Sequence, residues 1–289
     1  MRLSAFKSLI ELTIPSASII SAIVSIAGAF MTKSFGFYLT IFAIGPVFFL
    51  SSCGFNTLNA ITDLEADRVS RPSRPLPSTR ISSKAAIKFL IFLYFLYFLL
   101  LAFLASLQPS RVTILLIIGD LVLTFFYSIP PRLKNFPLLS NIIVGLHYSM
   151  LPMLSGWSLF KPFYEAPFSI VLVVTLLASG VNILEDFEDI EGDKFTNTRT
   201  LPILLGKKFT IAVLTSFYSI ALIIGVLNWL SSHSFYWIMI FPLEAALILI
   251  NLGLINTELD AHTAHKTLNK SAIIAIIVSL TLTIGFMIA

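Results

Sequence analysis

A chain of 289 residues that is 57% hydrophobic and only 12% charged, with a mean hydropathy of +0.92, is excluded from the ordinary soluble class, where about a quarter of residues carry charge. The net charge of +4, from 19 basic and 15 acidic residues, is accounted for by membrane topology and anionic headgroups and calls for no nucleic-acid partner. The single Cys53 excludes an internal disulfide.

Measured against the roughly 20 residues a helix needs to cross the hydrocarbon core, the apolar runs predict nine spans, at about 13–31, 37–61, 86–107, 112–129, 138–156, 167–184, 209–230, 234–254 and 271–288. The first, preceded by Arg2 and Lys7, reads as a retained helix and not a signal peptide, because Glu11 interrupts its approach and no cleavage-like site follows. The N-terminus and the loops 2–3, 4–5, 6–7 and 8–9 fall on one side with 16 of the 19 basic residues; Lys33, Arg111 and Lys161 lie opposite. That bias predicts an integral protein of the cell membrane with its N-terminus and basic loops in the cytoplasm and its C-terminus outside. The fold expected is all-α and integral to the membrane, a single domain over 1–289 with cap loops at about 62–85 and 185–208.

The two longest charged segments lie on that basic side. The second span ends in Asn59-x3-Asp63-x3-Asp67, within "NTLNAITDLEADRVSRPSRPLPS". The sixth runs into "VNILEDFEDIEGDKF", with Asn182, Glu185, Asp186, Glu188, Asp189, Glu191 and Asp193. Residues at i, i+4 and i+8 of a helix drift by only about 40° per step, so Asn59, Asp63 and Asp67 share a face over roughly 12 Å, and Asp189 and Asp193 share another. Like charges so arranged repel unless cations neutralise them. Mg²⁺ is held by one or two carboxylates together with substrate phosphates, so two such clusters could hold a diphosphate between metal ions. Arg68, Arg71, Arg74, Arg132 and Lys134 would add phosphate donors. The plain alternative, acids that merely keep loops out of the membrane, is disfavoured by two spaced runs at corresponding helix ends. Asn59-x3-Asp63 recurs as Asn182-x3-Asp186 after 123 residues, and the intramembrane acids Asp120 and Glu244 differ by 124, which suggests a parallel repeat of four helices with the ninth left over.

Asn-x3-Asp-x3-Asp followed by "RPSRPLPS", then "YSIPPRLK" from Tyr127 to Lys134, then "EDFEDIEGD" leading to "RTLPILLG", together resemble the UbiA superfamily of membrane-embedded prenyltransferases. The resemblance implies nine transmembrane helices around a central cavity and Mg²⁺-dependent transfer of a polyprenyl group from its diphosphate to a lipophilic acceptor. It implies that Asn59, Asp63, Asp67, Asp189 and Asp193 carry the metal, with two ions expected. Arg68, Arg74, Arg132 and Lys134 would contact the diphosphate, and Asn182 and Asp186 would support it. "EDIEGD" and "RPSRPLPSTRIS" look most like archaeal digeranylgeranylglyceryl phosphate synthases, which makes geranylgeranyl the lead donor and geranylgeranylglyceryl phosphate the lead acceptor. "YSIPPRLKNFPLLSN" and "LPMLSGW" look like the chlorophyll synthase branch, so an aromatic quinone precursor or tetrapyrrole is the alternative. Two departures stand out: Ala60 where many relatives have Asp, and Val181 and Glu185 where the synthase-type pattern Arg-Glu-x-x-Lys-Asp has basic residues.

The chemistry suits these residues. Metals and fixed cations neutralise the departing diphosphate, the allylic cation must be kept from water, and the Tyr127 ring could face it or serve as an interfacial anchor. Asp120 and Glu244 could bind or deprotonate the acceptor, or be helix–helix contacts. His147 reads as a packing residue, and His262 and His265 of "DAHTAH" as a solvated pair. Of the rival classes, a transporter would place its acids near the midplane, and the Asp-x2-Asp-Gly-x2-Ala-Arg pattern of a CDP-alcohol phosphatidyltransferase is absent.

Overall fold

The computed structural model describes residues 3–34, 38–257 and 261–289. Arg2, and Asp260 of "DAHTAH", lie outside the described residues. The helices in chain order are α1 (Leu3–Leu12), α2 (Pro15–Phe30), α3 (Tyr38–Thr62), α4 (Leu64–Ser70), α5 (Ser83–Ser106), α6 (Arg111–Ser128), α7 (Leu139–Gly145), α8 (Leu151–Trp157), α9 (Phe168–Glu188), α10 (Ile190–Phe195), α11 (Leu201–Ser232), α12 (Phe235–Gly253) and α13 (Ala261–Ile288). No strand occurs among the described residues.

Seven helices are long and apolar enough to cross a bilayer, and α1 with α2, bent by 49°, raises the number to eight. The bend has a local cause. Pro15 opens α2 and disfavours a right-handed helical residue before it, and Ile14, at φ 44°, stands outside the helical region between α1 and α2. The predicted fifth span departs from a single helix: it is α7, a π-helical turn at Leu146–Met150, and α8. Pro152 has no N–H to return to the preceding turn, and the ladder loosens where that bond is lost. The predicted fifth span is thus a helical run from Leu139 to Trp157 that carries a π turn.

The chain divides into two compact units. The first takes residues up to Leu133 together with Leu151–Ala166, hence α1–α6 and α8. Its α2 carries a small-residue face of Ser18, Ser21, Ser25, Gly28 and Ala29. That face lets backbones approach: a Cβ on Gly28 would stand 2.1 Å from the Met153 carbonyl oxygen, and one on Gly156 would stand 1.9 Å from that of Ser25. Small residues replace the hydrophobic driving force that lipid cannot provide between helices. Beside them Ile41, Ile44, Val47 and Phe48 of α3 pack with Tyr97 and Leu104 of α5 and Ile117 of α6.

The second unit takes Lys134–Met150 and Pro167–Ala289. Here α9 is central, packed on α7, α11 and α13, while α12 bridges α11 and α13. Gly206 interrupts α11 at φ +71°, a conformation open to glycine.

Each unit breaks its acid-bearing helix in the same way. Asp63 (φ −98°, ψ 10°) separates α3 from α4, and Asp189 (φ −98°, ψ 0°) separates α9 from α10. Nine residues before each acid stands a glycine covered by a tyrosine ring: a Cβ on Gly54 would lie 3.0 Å from Tyr94, and one on Gly180 would lie 2.4 Å from Tyr218. The structure therefore pairs Asp63 with Asp189, 126 positions on, and not with Asp186 at the expected 123. The 124-residue spacing of Asp120 and Glu244 is shared by Tyr94 and Tyr218.

The two intramembrane acids differ in their surroundings. Asp120 is buried and accepts a hydrogen bond from Ser51 Oγ at 2.7 Å. Glu244 is fully buried, and neither of its oxygens has a hydrogen-bond partner among the described residues. Burying a polar group without a partner costs free energy that an apolar side chain of like size does not. Glu244→Leu is therefore expected to leave the melting temperature in detergent unchanged or raise it, whereas Asp120→Leu, which strands the Ser51 hydroxyl, should destabilise by about 1–3 kcal/mol. A fall for Glu244→Leu in the same melts would show that this carboxyl has a ligand.

Candidate active site

In the first unit the acidic face survives the break at Asp63. Asp63 N donates to Asn59 O, Asp67 N to Asp63 O and Arg71 N to Asp67 O, each at 2.9 Å, so the i, i+4, i+8 register runs from α3 into α4. The carboxylates are nearly covered, Asp63 being 7% and Asp67 4% exposed. The end of α6 lies alongside: Ser128 Oγ donates to Asn59 Oδ1 at 3.4 Å, and the Tyr127 ring meets Phe55 edge-on at 5.2 Å, one turn before Asn59.

Arg132 Nη2 donates to Asp63 Oδ1 at 2.7 Å, and Arg74 Nη1 donates to both oxygens of Asp67 at 2.9 and 3.0 Å, so the two arginines expected to contact a diphosphate stand beside the acids of the first motif. Carboxylates drawn out of water need a counter-charge, and here a guanidinium supplies it to each. Arg132 does so from a backbone φ of 56°, a strained position for a residue with a side chain. Arg68 turns outward to Glu65, at 2.8 and 3.0 Å, in an exposed pair.

The loop that carries Arg74 is tied down by α1, a role that the sequence reading missed. Arg80 donates to both Glu11 oxygens at 2.7 and 2.8 Å and to the Ser73 carbonyl at 2.7 Å, and Ser78 Oγ donates to the Arg74 carbonyl at 2.6 Å. The Glu11 contact holds the Arg80 guanidinium above its ordinary range. Beneath it Leu9 and Leu12 of α1 pack with Leu76 and Ile81 of the loop and with Ala60 and Ala86.

In the second unit Asp193 N donates to Asp189 O at 2.9 Å, and Asp193 is 6% exposed. Near the C-terminal end of α9, Asn182 Nδ2 donates to Glu185 Oε2 at 3.2 Å. Asn141 of α7 donates from Nδ2 to both Asn182 Oδ1 and Asp186 Oδ2, at 3.0 and 3.1 Å. Nothing in the motif spacing points to Asn141; the only sign is a polar residue in "LLSNIIVG". Lys134 is half-buried, and His147 is buried beside the Tyr148 ring at 4.7 Å, in keeping with a packing role. His265 Nδ1 lies 3.1 Å from Glu188 Oε1, so this histidine pairs with an acid of the second motif and is not simply solvated.

Among the described residues no three His, Cys, Asp or Glu side chains converge closely enough to cage a cation. The donors available, a carboxamide and carboxylates, are hard oxygens. They fit Mg²⁺ held by one or two carboxylates, with water and phosphate completing its shell, and they do not fit a softer metal in a protein-only cage.

A polytopic helical protein with an acid-lined helix junction in each of two similar units has the features of a membrane-embedded prenyltransferase. Residues 18–285 match the model of the UbiA prenyltransferase family. The digeranylgeranylglyceryl phosphate synthase of Thermococcus kodakarensis is 28% identical over 262 residues, 90% of this chain and 91% of that one. The protein of that name from Pyrococcus horikoshii is 30% identical over 70% of each chain. A solved structure of a digeranylgeranylglyceryl phosphate synthase superposes with a TM-score of 0.71 at 26% identity, over 99% of this chain and all of that one. A UbiA homologue from Archaeoglobus fulgidus, bound to DMAPP and Mg²⁺, gives 0.71 at 21% over 96% and 98%. The chain belongs to the UbiA prenyltransferase family.

An exposed pair such as Glu11–Arg80 is worth at most ~1 kcal/mol, so its removal should act locally. Glu11→Ala is expected to speed amide hydrogen exchange across residues 71–82 while leaving the global melting temperature nearly unchanged. Unaltered exchange in that loop would show that α1 does not restrain it.

Proposed function

We propose that this protein transfers a geranylgeranyl group from its diphosphate to the free hydroxyl of geranylgeranylglyceryl phosphate. The alignment of proteins bearing the corresponding synthase name over 90% and more of the chain carries the choice of acceptor. The Archaeoglobus homologue bound to GPP and Mg²⁺ supports a prenyl diphosphate donor and a metal. Asn59, Asp63, Asp67, Asp189 and Asp193 would hold Mg²⁺, two ions in this reading, and when bound the metal would neutralise the diphosphate as it leaves. The allylic carbon–oxygen bond breaks with its electron pair passing to the diphosphate. The acceptor oxygen then bonds to that carbon, and its proton passes to a neighbouring oxygen anion. Tyr127, held against Phe55, would offer its ring face to the developing cation. The N-terminus and both acidic segments would lie on the cytoplasmic side, following the distribution of basic residues.

One observation favours a second acceptor class. Val181 and Glu185, one apolar and one acidic, stand where the synthase-type pattern has basic residues, and neither can donate to an acceptor phosphate. An aromatic quinone precursor or a tetrapyrrole would not need them.

The protein in detergent, given Mg²⁺, labelled geranylgeranyl diphosphate and either geranylgeranylglyceryl phosphate, 4-hydroxybenzoate, a dihydroxynaphthoate or a chlorophyllide, should label the first alone. Asp63→Ala should lower the rate at least 100-fold, a loss of ~2.7 kcal/mol. Labelling of an aromatic or tetrapyrrole acceptor instead would select the second class, and no labelling with no diphosphate release would end the prenyltransferase reading.

Arg74 and Arg132 face two demands in this reading, as counter-ions of Asp67 and Asp63 and as donors to the diphosphate. Arg132→Gln should therefore tighten Mg²⁺ binding to the substrate-free protein and weaken binding of the prenyl diphosphate, both measurable by calorimetry. Changes of the same sign would refute the exchange.

A further inference from the structure

We infer that Asn141 is a positioning residue for the second acidic face, an inference that rests on the metal-dependent diphosphate site proposed above. The contact of α7 with α9 is antiparallel and close. Ser149 Oγ reaches the Val174 carbonyl at 3.5 Å, and a Cβ on Gly145 would stand 2.0 Å from Ser179 Oγ and 2.8 Å from the Thr175 carbonyl oxygen. One turn further along the same seam, this approach brings the Asn141 amide to Asn182 and Asp186.

The chemistry of an amide suits that position. Asp186 feels the charges of Asp193, Glu185 and Asp189, all of its own unit. A lysine or arginine there would neutralise the cluster and compete with a metal ion, and an acid would add to the repulsion. An apolar side chain would leave both acceptors unmatched in a covered site. Asn141 donates both hydrogens of one nitrogen and adds no charge. Its orientation is fixed as well, since a flipped amide would set an oxygen against two oxygen acceptors. The cost is visible: Asn141 is fully buried, and its Oδ1 has no hydrogen-bond partner among the described residues. With Oδ2 of Asp186 held, that carboxylate keeps one orientation, and Asn182 is kept in place to donate to Glu185. Outer partners that orient metal-facing groups typically change metal affinity by about 10- to 100-fold.

The test measures Mg²⁺ binding to the full-length protein in detergent with geranylgeranyl diphosphate present, read as the Mg²⁺ concentration giving half-maximal thermal protection. Asn141→Leu should raise that concentration by about 10- to 100-fold, with Asn141→Ala as the substitute should leucine not be accommodated. Asn141→Asp keeps the size and adds an acid; it should also weaken binding, because it removes both donors, and a tightening would overturn the inference. Ser149→Ala removes another contact of the same seam without touching the acids and should leave the Mg²⁺ dependence at its wild-type value. The inference fails if Asn141→Leu does likewise, or if Ser149→Ala shifts it equally. Absence of Mg²⁺-dependent protection in the wild-type protein would instead remove the proposed function itself.

Discussion

Carboxylates gathered at the end of an apolar, largely buried helix must be matched by donors or counter-charges, and much of the first unit serves that match. Arg132 reaches Asp63 from a strained backbone just beyond the end of α6. Arg74 reaches Asp67 from a loop that would be slack without the Arg80–Glu11 pair and the apolar patch beneath it. The short helix α1, with little apolar length of its own, earns its place by holding that loop. Even the bend at Ile14 belongs to the arrangement, because a straight continuation of α2 would carry Glu11 along the helix axis and away from the loop.

The second unit handles a comparable density of charge with a neutral group. Its acids meet an amide donor from α7 where those of the first meet guanidinium groups. A guanidinium can be displaced by a cation and then turn to a phosphate, whereas an amide has no charge to give up and stays. The first face is thus matched by charged groups and the second by a neutral one, although both grow from the same interruption of a long helix by an aspartate.

The parts of this molecule visible in its sequence are those governed by periodicity and transfer free energy. Long apolar runs foretold the helices, and the four-residue spacing of Asn59, Asp63 and Asp67 foretold their shared face, because both depend on neighbours along the chain. The fifth span is helical from Leu139 to Trp157 as expected, but its π turn was not foreseen, since Pro152 alters only the hydrogen-bond ladder, a feature that hydropathy does not register. Arginines near acids look the same in sequence whether they meet a substrate or the acids themselves. Asn141 and Glu11 stayed hidden because their partners lie 41 or more residues away and share no motif with them. The expected repeat rests on Asn59 and Asn182, which match as letters, whereas the helix breaks fall at Asp63 and Asp189.

That register carries a consequence for how the chain can tolerate change. Gly54 precedes Asp63 by the same interval as Gly180 precedes Asp189, and Tyr94 precedes Asp120 as Tyr218 precedes Glu244, so the two units differ by two residues only between the junction acid and the tyrosine. Each residue added within a helix turns everything beyond it by about 100° and would point a tyrosine or an acid at lipid. Extra residues in the polar connection turn nothing. If the halves descend from one ancestor, insertions and deletions have been admitted on the aqueous side and refused within the bilayer, and the connection after Asp63 is where further length variation is best absorbed.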